Sequence, residues 1–149
     1  MTAGTKLVFP ALEGFYVSWR DIAYTIVRVI IGFNLFMHGW QKVTSFGVAG
    51  VSGYMAKLGL EPATGFAVVA MLLETIGAIC IIIGLFTRFF AAALAIEMLI
   101  ALLFAHIAGG FFFNNGGTEY VLLLGVVLFA IAIRGGGPYS VDRMIGKEL

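Results

Sequence analysis

Charge is what this sequence has least of. Nine Lys and Arg and eight Asp and Glu make up 11% of its 149 residues, against roughly 25% in a typical soluble domain. So few charges cannot cover a water-facing surface, which excludes a soluble enzyme. The 61% apolar content excludes a disordered tail, and a net charge of +1 offers no basic field to nucleic acid. Cysteine is nearly absent as well. Cys80 stands alone in an apolar run, so neither an internal disulfide nor a CxxC redox pair can form, and it reads as a small buried apolar residue. No cleavable signal peptide is expected: the first apolar run begins late and no small-residue cleavage site follows it. What abounds is apolar side chain, with a mean hydropathy of +1.05. That combination describes an integral membrane protein of one small domain.

A helix needs about 20 mostly apolar residues to cross a bilayer. Four runs approach that length: Ile22 to His38, Gly65 to Phe86, Phe89 to His106 and a shorter one from Tyr120 to Ile133. Gly59 and Pro62 precede the second, Gly84 to Arg88 form a tight turn, and Gly135-Gly136-Gly137-Pro138 closes the fourth. Lys6, Arg20, Arg88, Arg134, Arg143 and Lys147 fall on one side, and only Lys42 and Lys57 on the other. This asymmetry predicts both termini in the cytoplasm. Phe9, Leu12, Phe15, Tyr16 and Trp19 recur at helical spacing after Pro10 and suggest a helix lying in the membrane interface. Gly47 to Leu58 reads as a short helix folded back at the outer surface. Trp40, Tyr54, Phe111, Phe112, Phe113 and Tyr120 would form the outer aromatic belt. The expected fold is all-α: an integral membrane four-transmembrane-helix bundle with cytoplasmic termini and an N-terminal interfacial amphipathic helix. It forms one domain over residues 1–149, with 1–20 the interfacial segment and 135–149 the cytoplasmic tail.

Ionisable groups inside spans cost about 2.5–3.5 kcal/mol each at the helix centre on insertion scales, and they usually face a partner, a pathway or a site. Arg28 lies about 9 Å along the first span at 1.5 Å per residue. Glu74 and Glu97 are equidistant from the short turn joining their spans. Antiparallel neighbours must therefore hold the two carboxyls at one depth, where both cannot ionise cheaply and one would keep a proton. With Arg28 reaching from the first span, these three form an expected buried cluster of Arg28, Glu74 and Glu97. It serves either as a polar clamp that fixes helix register or as a proton-handling or ligand site; depth alone does not separate the two.

A second polar group is expected at the outer face. His38 and His106 end the first and third spans, Lys42 follows one turn after His38, and Glu119 precedes the fourth. They would form a rim of His38, Lys42, His106 and Glu119. Two histidines at one level raise the question of metal, but a di-iron bundle uses Glu-x-x-His pairs and none occurs here, so no metal site is expected. Glu74, Glu97, His38 and His106 are the candidates for any chemistry.

Four motifs in order give the chain a family likeness. Arg28-x-x-x-Gly32-x-x-x-Phe36-x-His38-Gly39-x-x-Lys42 resembles the first span of the DoxX family. Glu74-x-x-Gly77 with Gly84-Leu85-x-Thr87-Arg88 resembles its second span and turn, and Glu97-Met98-x-x-Ala101 with His106 its third. Gly116-Gly117-x-Glu119-Tyr120 and Arg134-Gly135-Gly136-Gly137-Pro138-x-Ser140-x-Asp142-Arg143 resemble its fourth span and tail. Pro138-Tyr139 departs from the basic residue often found beside those glycines. The resemblance covers residues 20 to 149. It implies a four-helix bundle of the bacterial inner (cytoplasmic) membrane. Some members are linked to thiosulfate-to-quinone electron transfer and others to membrane oxidoreductase complexes; fold likeness does not itself supply a function.

Three functional readings stand at this point. The first is a quinone-linked or redox-associated accessory subunit of a membrane oxidoreductase system. The second is a non-catalytic structural or peripheral subunit of a respiratory or photosynthetic complex, and the third a small proton-coupled transporter. A complete oxidoreductase is not expected, because no flavin, nucleotide, haem or iron–sulfur motif is present. No cofactor is evident from the sequence; quinone is the candidate that the first reading carries. The expected partners are the bilayer and other membrane subunits or further copies of the chain, with no nucleic acid.

Overall fold

The structure is a computed structural model that describes residues 6–149, and the described residues contain helices and loops but no strand. A short 3₁₀ turn at Pro10–Leu12 leads into α1 (Glu13–Gln41), a wide π-helical turn at Lys42–Phe46 and α2 (Gly47–Lys57). α3 (Ala63–Leu72) continues through a π turn at Leu73–Gly77 into α4 (Ala78–Ile83). α5 (Thr87–Ala101) likewise continues through a π turn at Leu102–His106 and a 3₁₀ turn at Ile107–Gly109. α6 (Glu119–Arg134) and a short α7 (Val141–Ile145) complete the chain. Among the described residues three helical runs are long and apolar enough to cross a membrane: Pro10–Lys57, Ala63–Ile83 and Thr87–Gly109. α6 has 16 residues, about 24 Å of rise.

The aromatic leader does not make a separate helix. From Glu13 the chain is helical without interruption through Gln41, so Phe15, Tyr16 and Trp19 stand on the first turns of α1. After Pro10 no residue breaks the helix, because one internal glycine, Gly14, costs only about 1 kcal/mol. The first five residues of the expected interfacial segment lie outside the described residues.

Outward faces are apolar and inward faces are small or branched. Ile26, Ile30, Phe33, Leu72, Ile76, Leu99, Val126 and Phe129 are all exposed, the pattern of a protein whose solvent is hydrocarbon. The core packs Leu35, Ala78, Ile81, Ala91, Leu94, Met98, Leu124, Leu128 and Ile131. With lipid as apolar as leucine, such packing rests on close contact between helices. Gly39 shows how close. A Cβ there would lie 2.5 Å from the backbone carbon and oxygen of Glu74, so α1 and the second helical run touch backbone to backbone at that level.

The other end of the bundle is locked by side chains that satisfy helix termini. Arg28, 1% exposed, donates to the carbonyls of Ile81 (2.7 Å), Ile82 (3.1 Å) and Tyr139 (2.6 Å). It thus places a cation on the negative C-terminal end of α4. Arg88 does the same for α6, donating to the carbonyls of Ala132 (3.1 Å) and Ile133. Asp142 acts with opposite sign. It accepts from the backbone N–H of Phe86 (2.7 Å) and Thr87 (2.9 Å) and from the Thr87 hydroxyl (2.7 Å), capping α5. Gly84, in the left-handed region at φ +74, has the Arg28 guanidinium and Ser140 against it with no room for a side chain. Tyr24 donates to the Gly135 carbonyl, and Arg134 lies over the Tyr24 ring at 4.1 Å. Residues near both chain termini therefore meet at the same end of the bundle.

Candidate functional site

At the opposite end lies a cavity of about 780 Å³. Its wall is largely aliphatic and aromatic, with Leu35, Val51, Met55, Val69, Ile100 and Phe104 among its residues. Into it fall His38, Lys42, Glu74, Glu97, His106 and Tyr120. An apolar concavity with a few convergent polar groups is the usual form of a small-molecule site.

Five residues of the two polar groups expected separately, His38, Lys42, Glu74, Glu97 and His106, line this one cavity. Lys42 pairs with Glu74 directly. The contact of Gly39 with Glu74 brings α1 close enough for the ammonium, one turn further on, to reach the carboxylate. Glu74 is nearly fully buried, at 4% exposure. Glu97 shares the cavity and lies within Coulombic reach of both Glu74 and Lys42. Its Oε2 is buried and has no hydrogen-bond partner. A buried polar atom left unsatisfied costs about 1–3 kcal/mol and calls for an explanation.

Arg28 does not join these carboxylates, which corrects the expected Arg28–Glu74–Glu97 cluster. α1 runs antiparallel to α3 and α4, and Gly39 is the residue level with Glu74. Arg28 is eleven residues earlier, about 16 Å down the helix, beside Gly84. The carboxylate acting on it is Asp142. Glu119 also stands apart from the cavity lining; it accepts from the Phe113 N–H at 3.0 Å and closes the loop before α6.

The histidines differ. His38 lies on an exposed turn of α1 with its ring 6.0 Å from that of Tyr120. The Nδ1 of His106 is 2.9 Å from the Gly116 carbonyl. A carbonyl only accepts, so Nδ1 is the donor in this contact. Among the described residues no three His, Cys, Asp or Glu side chains gather as metal ligands.

Two features escaped the sequence reading. Tyr120, expected in the outer aromatic belt, turns inward and donates to the Asn34 side chain. The three π turns among the described residues each bring a polar residue to the cavity: Lys42, Glu74 and His106. Widened turns of this kind often mark functional sites. No composition or spacing rule announces them.

A model of the DoxX family matches residues 23–107. The inner membrane protein YqjF of Escherichia coli K12 is 31% identical over 132 residues, covering 87% of this chain and 96% of its own length. The chain belongs to the DoxX family. An uncharacterized protein of Haemophilus influenzae is 29% identical over 134 residues, covering 88% and 96%. No solved structure matches. In this DoxX protein the motif residues divide between the two ends of the bundle. Arg28, Gly84, Thr87, Ser140 and Asp142 gather at the lock; His38, Lys42, Glu74, Glu97 and His106 gather at the cavity.

Proposed function

We propose that this DoxX-family protein is a quinone-binding accessory subunit of an oxidoreductase system in the bacterial inner membrane. It crosses the bilayer four times, through α1, the α3–α4 run, the α5 run and α6, with both termini in the cytoplasm. The shared end of the termini, rich in Lys and Arg, supports that orientation, and α6 spans with some local thinning of the bilayer. The cavity then lies toward the outer face.

The observation that carries the reading is the unpartnered Oε2 of Glu97 at an apolar cavity. The residues fit a quinone: the apolar wall suits its ring and substituents, and its carbonyl oxygens suit a hydrogen-bond donor at the polar end. When bound, a quinone would supply two-electron, two-proton redox chemistry. One ammonium serves two carboxyls. With Lys42 and Glu74 ionised as a pair, a second bare carboxylate in this wall would cost several kcal/mol. A proton on Glu97 removes that cost and makes Oε2 a donor, able to hydrogen-bond a carbonyl oxygen and to give up its proton there. Lys42 fixes the Glu74 side chain, and the apolar wall keeps water from competing. The sequence carries no motif for a redox centre, so electron delivery falls to a partner subunit. Leu35, Met98 and Leu124 line the cavity and also belong to the packed core, so the cavity has a packed floor, which favours a one-sided site over a carrier.

Purification in mild detergent followed by solvent extraction tests this. Wild type is expected to release quinone and, once stripped, to rebind a short-chain quinone. Glu97→Leu is expected to bind it at least about tenfold more weakly, the loss of one hydrogen bond that leaves the quinone oxygen unpaired. A wild-type protein that neither carries nor rebinds quinone would overturn the proposal.

A further inference from the structure

The cavity has walls on three sides and none on the fourth. α1 closes the back. α2 packs along α3 through Val51, Met55, Ala67 and Met71, with Ser52 and Thr64 hydroxyls 3.0 Å apart. α5 packs along α6. Between these two pairs, α5 meets the second helical run from the Glu74 turn down through α4, while α3 itself turns away to α1 and α2. The result is a cleft between α3 and α5, beyond the level of Glu74 where the second run and α5 still meet. Cavity residues stand at its mouth half open: Val69 on α3 is 54% exposed and Ile96 on α5 is 59% exposed. Both belong to the faces that meet lipid. Ile96, Ile100 and Phe104 form one apolar row on the α5 side, four residues apart. The mouth therefore opens sideways into hydrocarbon, and the side chains named at its edges are all apolar.

We infer that this cleft is a lateral portal for a single-chain lipophile: the head group reaches the Lys42–Glu74–Glu97 end of the cavity from the bilayer, and its alkyl or isoprenoid chain stays between Val69 and Ile96. The inference rests on the quinone reading for the head group and adds the route, the class of tail and the surface that holds it. A head group with a permanent charge is disfavoured, because it would cross an apolar mouth to reach a site whose one formed ion pair is already matched. A chain lying in the cleft replaces lipid with lipid, so its gain comes from fitting the row of Ile96, Ile100 and Phe104 and from holding the head group in place.

Binding of two benzoquinones with the same head group tests this, one with a decyl chain and one with a methyl group in its place, to full-length protein in lipid nanodiscs. Wild type is expected to bind the decyl compound more tightly. Ile96→Trp, which fills the mouth without touching the polar end, is expected to weaken the decyl compound about tenfold and leave the methyl compound within about twofold. Because a bulky variant can fold poorly, Ile96→Cys is made in parallel and alkylated with a benzyl reagent after purification. Cys80 is buried, so the engineered thiol is the accessible one, and the same split between ligands is expected. Equal affinities before and after blocking, or equal weakening of both ligands, would overturn the portal while leaving the head-group site standing. Failure of wild type to bind either compound would overturn the quinone reading and the portal with it.

Discussion

Arg28→Ala is expected to destabilise the fold by about 3–5 kcal/mol, the scale for breaking a buried charged network. Three carbonyls lose a charged donor, each such bond contributing about 1.5–3 kcal/mol, and hydrocarbon offers no water to replace it. Two of them, from Ile81 and Ile82, end α4, and the third, from Tyr139, ties down the tail. Reversible unfolding in mixed micelles, followed by circular dichroism, measures the change. Arg28→Lys should recover only part of the loss, since one ammonium cannot reproduce the guanidinium fork. A change below about 0.5 kcal/mol, the size of an ordinary surface effect, would show that the lock contributes little. Quinone binding should survive in whatever fraction remains folded, because Arg28 lies about 16 Å from the carboxylates.

The second large effect is expected at Lys42. Lys42→Met leaves the buried Glu74 carboxylate without its cation, at a cost again of about 3–5 kcal/mol. The double variant Lys42→Met with Glu74→Gln should recover most of that loss, because a neutral pair no longer carries an uncompensated charge. Their non-additivity in the same unfolding assay reads the coupling directly. Additive losses would mean that the two side chains do not act as a pair.

How much of this was legible in the sequence depends on which contact is asked about. The shared depth of Glu74 and Glu97 follows from counting outward from one short turn, and both side chains line one cavity. Depth alone puts Arg28 with them, because depth does not say which residue of α1 meets the second run. That register is set at Gly39, where missing side-chain volume lets α1 touch the backbone of Glu74. Counting back from that contact puts Arg28 opposite Gly84 and Lys42 within reach of Glu74. Gly32 makes a second close approach, against Ala78 and Ile82, and nothing in the sequence says which residue of the second run either glycine meets. The π turns at Lys42, Glu74 and His106 were not legible, because they arise where packing widens a helix that local propensity alone would leave regular. The interfacial helix was expected from an aromatic repeat that is present; its fusion with α1 reflects the lack of a breaker after Pro10.

The most direct test of the site is infrared difference spectroscopy on quinone addition, comparing wild type with Glu97→Gln. The carbonyl band of a protonated carboxyl should shift when quinone binds to wild type and should be missing from the Glu97→Gln difference spectrum. A wild-type spectrum with quinone bound and no carboxyl band, or a band that persists in Glu97→Gln, would contradict the assignment of Glu97 as the group that meets the ligand.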